Sequence, residues 1–467
     1  MMEQEFEDHS EAIGESVRRF EVMLQNHEQS FFDLDTYEQI VEHYLDEERL
    51  EDALKACNVG LDQYPYSLEL MLNRSQALAN LQKFNEALDQ LDQAALFNPS
   101  DPEIRYMRGT ISNLMGNYQE AIDTLYSVMD EIEEKDEVYY HIGLAYQNWG
   151  KYTEAIEAYK LAIEHNLSNE NALYELAFCL DMHGELEASL PYYQQFIDSD
   201  PFSQDAWYNI GVAYSKLGRF EEAADAYEYA VAIKEKFPSA HFNLANTYMN
   251  LEQYEKAEQH YRYTLSYEEV SPETLCCLGA SLEKQHKYDK AIQQYREAIK
   301  LDPQWDDGWF GIGVCLSDQD KWYEGLHFLQ KAVKINDKNA WYWQAIGEVE
   351  AKIGNMVSSF EAFEKATELD PANPEIWLKW SWMLFEQGDY EKANQLVQEG
   401  IDETPEEADL YYRAVLYLIQ AGQFKEAFIN LETALTLDYD GHVQLYEYFT
   451  NLETQKALHK IIEQYRK

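Results

Sequence analysis

The chain has 467 residues, 46% of them apolar, with 87 acidic against 36 basic side chains and a formal net charge of −51 at pH 7. That much apolar material excludes global disorder. So negative a surface excludes nucleic acids and anionic lipid surfaces as partners, and favours a basic or neutral protein or peptide. It also keeps a long molecule soluble, and both uses of the charge stay open.

The first 33 residues form an acidic N-terminal segment. Its start, MMEQEFEDHSEAIGE, has neither the basic nor the apolar region of a signal peptide. Residues 11–27 put Ile13, Val17, Phe20 and Leu24 on one face, which predicts a capping helix. No apolar run approaches the roughly 18 residues needed to span a bilayer, so no membrane insertion is expected. Cys57, Cys179, Cys276, Cys277 and Cys315 show no metal-ligand spacing, so no metal or disulfide framework is expected and a reducing, cytoplasmic setting is.

From residue 34 to 441 the chain repeats itself. Stepping by 34 residues from Ala155 meets Ala53, Ala87, Ala121, Ala155, Ser189, Ala223, Ala257, Ala291, Gly325, Ser359, Ala393 and Ala427. These are twelve small residues in unbroken register. The preceding turn recurs as GNYQEA, GKYTEA, GRFEEA, GDYEKA and GQFKEA.

Each unit predicts two helices. In unit four Tyr139, Ile142, Gly143 and Tyr146 form one apolar stripe. Gly150 then stands where a helix end wants a left-handed residue. A second helix from about Tyr152 carries Ala155, Tyr159 and Ala162 inward. Asp101-Pro102, Ser271-Pro272 and Asn373-Pro374 are helix starts, each a capping residue before a first-turn proline. Residues 442–467 predict a degenerate final helix pair with a mildly basic tail that includes Lys456, Lys460, Arg466 and Lys467.

This pattern resembles the tetratricopeptide repeat (TPR). Unit six follows it with Trp207, Ile210, Gly211, Tyr214, Ala223, Tyr227 and Ala230, after Pro201. Unit nine follows it with Trp309, Ile312, Gly313, Leu316 and Ala332. Arg74, Arg105, Arg108 and Glu350 depart from it locally. The resemblance implies an all-α, right-handed superhelical solenoid of twelve antiparallel helix pairs. Its first helices would line a concave groove that receives a partner segment.

At about 100° per residue, Glu137, Tyr140, Leu144 and Gln147 lie on a flank beside the buried stripe, which the resemblance places in the groove. The Tyr140 position holds Tyr106, Tyr140, Tyr174, Tyr208 and Phe242 in successive units, then Phe310 and Tyr412. Two readings stand: rigid anchors for an extended peptide, or packing between neighbouring helices. The next position holds Asn73, Asn209 and Asn243, with Asn246 one turn beyond Asn243; in some TPR arrays such asparagines hold a ligand backbone. The Glu137 position is acidic in nine of twelve units, which suits a helix first turn and also makes the groove mouth negative. The clamp for the C-terminal carboxylate of Hsp70/Hsp90-type chaperones needs lysines at the Tyr140 and Glu137 positions, and none of the units has one at either.

No catalytic constellation emerges. GWFGIG, residues 308–313, is Gly-rich, but no strand precedes it and Gly313 is the repeat's small packing residue. DYDG, residues 438–441, lacks the remaining ligands of a calcium loop. The sequence therefore predicts a non-enzymatic interaction scaffold with no cofactor. The alternative is a structural subunit of a larger assembly that uses the convex face or the ends.

Overall fold

The computed structural model describes residues 2–26, 31–449 and 452–466, apart from the side chains of residues 2–12 and 452–455. The chain divides into two compact units, Met1–Ile233 and Lys234–Lys467. Every regular element among the described residues is helical.

The first unit opens with Met2–Asn26 and continues in pairs. These are Leu34–Asp46 with Leu50–Gln63, Leu68–Asn80 with Phe84–Phe97, Pro102–Leu114 with Tyr118–Val128, and Lys135–Asn148 with Tyr152–His165. Glu170–Met182 follows, paired with a 3-10 turn Leu186–Ser189 that runs on as Leu190–Ser199; Gln204–Lys216 with Phe220–Ile233 ends the unit. In the second unit the pairs are Pro238–Asn250 with Tyr254–Tyr267, Pro272–Lys284 with Tyr288–Leu301, and Asp306–Asp318 with Trp322–Ile335. Ala340–Ile353 with Met356–Leu369, Pro374–Glu386 with Tyr390–Glu403 and Ala408–Gln420 with Phe424–Leu437 complete them. The short helices Asp440–His442 and Val443–Tyr448 and the helix Leu452–Tyr465 follow. The two helices of each pair pack on one another, and within each unit consecutive first helices also touch.

The helix starts are chemically fixed. Asp101, Ser271 and Asn373 each accept a hydrogen bond from a first-turn backbone N–H, at 2.9, 3.1 and 3.1 Å. Such caps contribute about 1 kcal/mol each. The bulky first-helix residue is tied to the incoming turn as well. Trp207, Trp309 and Trp377 donate their indole N–H to the carbonyls of Pro201, Pro303 and Pro371, six residues earlier, at 3.0, 3.0 and 2.9 Å.

Close packing inside each pair explains the small residues. All twelve at the 34-residue spacing are buried. A Cβ added to Gly211 would come within 2.8 Å of the Tyr227 ring, and one on Gly279 or Gly347 would meet Tyr295 or Phe363 equally closely. Gly143 faces Tyr159 in the same way. Gly313 belongs to this set, against Leu329, while Gly308 and Gly311 of the same helix, Asp306–Asp318, meet Ile299 and Tyr295 of the preceding pair. The GWFGIG stretch is thus a packing surface.

The predicted N-terminal helix ends at Asn26, with Val17 and Phe20 buried and Ile13 and Leu24 packed beside them; residue 27 lies outside the described residues, as does Lys467. At the other end Leu458 and Ile462 are buried. One expectation needs revision. The second helix of repeat five does not start as an α-helix, because Pro191 lacks an N–H and crowds the carbonyl four residues back. The turn before it therefore tightens to 3-10.

The connection inside each pair repeats one backbone conformation. Gly116, Gly150, Gly184, Gly218, Gly354, Gly388 and Gly422 have φ between 72° and 94°. Glu48, Gln82, Glu252, His286 and Asp320 hold the same place in the remaining repeats at φ 55–61°. A left-handed non-glycine costs about 1 kcal/mol or more. Glu252→Gly is therefore expected to stabilise the chain by up to about 1 kcal/mol, less the extra freedom glycine gives the unfolded state, and Gly218→Ala to destabilise it by a similar amount. Urea midpoints that move the other way, or not at all, would refute this account of the turn.

Candidate functional site

The flank beside the buried stripe carries aromatic side chains in both units. In the first unit Tyr106, Tyr140 and Tyr208 are half-buried and Tyr174 is 53% exposed. Tyr140 lies 6.1 Å from the Tyr159 ring and Tyr208 lies 5.8 Å from Tyr227, so each rests on its own repeat's second helix. Tyr106 meets His141 edge-on at 5.4 Å, and His141 meets Tyr140 at 5.2 Å. Three rings from two repeats thus form one contiguous strip. In the second unit Phe242 lies against Tyr261 and Phe310 stacks on Tyr342 at 4.6 Å. One side of these rings packs inward, as the packing reading expects, and part of each stays exposed.

Tyr412 is a correction. It is 1% exposed, and its hydroxyl donates to the Asp438 carbonyl, covered by the chain that follows its own repeat. It is not part of an exposed row.

The asparagines diverge as well. Asn209 is half-buried beside Tyr174 at a cleft. Asn243 is half-buried. The side-chain oxygen of Asn246 accepts the Tyr261 hydroxyl at 2.6 Å, so that oxygen already serves the fold. Asn73 is buried, and its amide nitrogen has no hydrogen-bond partner among the described residues.

Carboxylates run beside the aromatic strip in the first unit. Burial, then neighbouring carboxylates, raises the pKa of Glu69, Glu103 and Glu137 above the usual range. For Glu69 those neighbours are Glu42 and Glu103, in the repeats on either side. Burial, with Glu175 and Glu137, pushes the Tyr140 phenol up to about 12. No described cluster of three or more His, Cys, Asp or Glu could hold a metal, and no described helix is long and apolar enough to cross a membrane.

Models of the tetratricopeptide repeat match residues 72–133, 180–241 and 378–438, residues 137–169 and 272–304, residues 238–269 and residues 342–373. The chain belongs to the tetratricopeptide-repeat family. It is similar to several solved TPR structures. A crystal structure of the APC/C hetero-tetramer Cut9-Hcn1 has 13% identity, with 92% of this chain and 93% of that one covered and a TM-score of 0.38. Yeast Tom70 has 12% identity, 86% and 96% coverage and a TM-score of 0.42. A tetratricopeptide repeat protein from Parabacteroides merdae has 17% identity, 53% and 98% coverage and a TM-score of 0.45. No curated protein matches the sequence.

Within this TPR array the sequence pattern did not reveal a pocket of roughly 670 Å³ in the second unit, lined by Leu378, Lys379, Trp382, Met383, Arg413 and Tyr448 among others. Lys379 bridges Glu348 at 2.8 Å and Glu375 at 3.0 Å. The Arg413 guanidinium lies 4.8 Å from the Trp382 ring centre and 5.9 Å from that of Tyr448. The one sequence signal was that Lys379 and Arg413 are basic where other repeats are not. Nothing in the register foretold Tyr448, which comes from beyond the repeats.

His141 gives the aromatic strip a pH dependence. Burial lowers its pKa to about 4. The folded state therefore takes up this proton later than the unfolded chain, whose histidine titrates near 6.5. The stability held by neutral His141 is complete above pH 6.5 and is lost as pH falls toward 4. Between pH 7 and 4.5, His141→Phe should lose less unfolding free energy than the wild type, by on the order of 1 kcal/mol. Parallel curves from urea titrations of the two proteins would contradict this.

Proposed function

We propose that this TPR protein is a non-enzymatic scaffold whose first-helix face receives an extended, basic or neutral segment of a partner protein. The observation that supports this reading is the pairing of outward aromatic surface with carboxylates crowded across repeats: Glu42 and Glu103, in the repeats on either side, add to burial in raising the pKa of Glu69. Rings held from behind lose little freedom on binding and offer both a flat apolar face and a hydroxyl. An approaching lysine or arginine would relieve the crowding of like charges. A polyanionic partner would increase it.

A second reading, that of a structural subunit, draws on a different surface. Tyr66 is 73% exposed and packs edge-on against Phe97, next to Leu96, which is 80% exposed. This small apolar patch suits contact with another folded protein.

A fluorescent, lysine-rich peptide of about fifteen residues is expected to bind the wild-type chain, and at least tenfold more weakly the Tyr140→Ala, Tyr174→Ala, Tyr208→Ala triple variant. Raising salt from low to physiological strength should also weaken the complex. Equal affinity of the two proteins would rule out the aromatic strip. Binding insensitive to salt would rule out the carboxylates. Hydrogen-exchange protection confined to residues around Tyr66 and Phe97 would favour the structural-subunit reading.

A further inference from the structure

Repeat five breaks the aromatic pattern of its neighbours. In repeats four, six and seven, the outward ring lies on the tyrosine of its own second helix: Tyr140 on Tyr159, Tyr208 on Tyr227 and Phe242 on Tyr261. Tyr174 makes no ring contact among the described residues, although Tyr193 sits buried at the matching place. Ala177 stands where repeats four and six have Gly143 and Gly211. The alanine alone does not open the pair, because repeat seven carries Ala245 there and keeps its ring contact. What sets repeat five apart is Pro191 and the 3-10 turn before it.

The result is a cleft between helices Glu170–Met182 and Gln204–Lys216, with Leu186 and Tyr193 on its floor and Tyr174, Phe178, Asn209 and Val212 around it. Tyr174, Phe178 and Met182 follow one another at four-residue steps and are 53%, 39% and 56% exposed. They form an unpartnered apolar stripe on one helix of a strongly acidic protein. The cleft volume is about 80 Å³. A cavity that takes up benzene measures about 150 Å³, so the space suits a branched or linear aliphatic side chain rather than an aromatic one.

The charge around the cleft points to what flanks that side chain. Asp181, Leu186 and Lys216 are shared with an adjoining depression that also bears Glu185 and Glu187. Lys216 is paired with Asp181 at 2.5 Å, and Arg219 lies 3.8 Å from Glu187. Glu185 is exposed and makes no ion pair among the described residues; Lys160, which bridges Glu157 at 3.0 Å, is the cation that feels its charge. An aliphatic side chain in the cleft would thus place its neighbours in the segment beside an exposed carboxylate that no ion pair among the described residues engages.

We propose that this cleft is an anchoring site for one aliphatic residue, leucine or methionine, of a partner segment with lysine or arginine within two or three positions of it. The proposal rests on the reading of the first-helix face as a peptide-binding surface, and it assigns that surface its sequence preference. Tyr174 and Phe178 wall the cleft, and Glu185 receives the basic neighbour.

The test uses the full chain and three fluorescent fifteen-residue Gly/Ser peptides followed by anisotropy. One carries Leu-Ser-Lys-Lys, the second Ala-Ser-Lys-Lys and the third Leu-Ser-Glu-Glu. The first should bind about tenfold or more tightly than either of the others. Val212→Trp, which plugs the half-exposed wall, should remove the preference for leucine over alanine, and Glu185→Gln should reduce the preference for lysine over glutamate. Circular dichroism of both variants confirms that they are folded, and Phe178→Ser serves as a second cleft variant should Val212→Trp prove unstable. Equal binding of the leucine and alanine peptides, or a leucine preference that survives in the cleft variants, overturns the proposal. If the cleft variants are without effect while the Tyr140→Ala, Tyr208→Ala pair still weakens binding, the anchor is wrong and the peptide-binding surface stands. If none of these variants changes binding, the surface reading fails with it.

Discussion

In six of the twelve repeats the two helices come so close that a side chain on one occupies space that only a missing side chain on the other can provide, at Gly109, Gly143, Gly211, Gly279, Gly313 and Gly347. Tyr227 against Gly211 and Tyr295 against Gly279 leave no room for even a methyl group without a shift. The buried small residue on the second helix, Ala155 or Ala223 for instance, relieves the contact from the other direction. Where the facing residue is aromatic, as Tyr159, Tyr227, Tyr295 and Phe363 are, this arrangement buries a whole ring. The hydroxyls are not wasted. Tyr159 donates to Gln147 at 2.7 Å and Tyr295 to Glu283 at 3.0 Å.

A helix pair held this way still has an uncovered apolar edge, and stacking the next pair on it is what makes the fold stable. Stacking requires every connection to bring the second helix back at the same angle. The left-handed residue at each of twelve turns does this, whether or not glycine occupies the place. Glu252 and His286 adopt the strained conformation because the packing on both sides leaves the chain no other path. Repeat five shows what happens when a local rule conflicts with that demand. Pro191 alters the start of its second helix, the outward ring makes no ring contact among the described residues, and a cleft lies beside it.

The surface left over has two characters. In the first unit, rings supported from behind run beside carboxylates whose pKa is raised by burial and then by neighbouring carboxylates. In the second, a pocket gathers Lys379 and Arg413, with the first neutralised by two glutamates and the second laid over Trp382. In a protein with a net charge of −51, these two basic groups are held locally, by glutamates and by an aromatic ring.

Much of this was written in the sequence. The 34-residue register located the helix pairs, the turns and the buried small residues, because each is set by neighbours within a few positions and recurs wherever they recur. The same periodicity placed Tyr106, Tyr140 and Tyr208 beside the buried stripe. It could not say how much of each ring would remain open. That was decided by contacts between helices: Tyr140 lies on Tyr159, whereas Tyr174 makes no ring contact among the described residues. Tyr412 shares their position in the register, but the chain after its repeat folds over it and takes its hydroxyl at Asp438. The pocket around Trp382 escaped for the same reason, since Lys379, Arg413 and Tyr448 come from three elements that only packing brings together. A repeating sequence fixes what repeats. Exposure at a given repeat depends on the particular residues stacked against it, and those are the part that does not repeat.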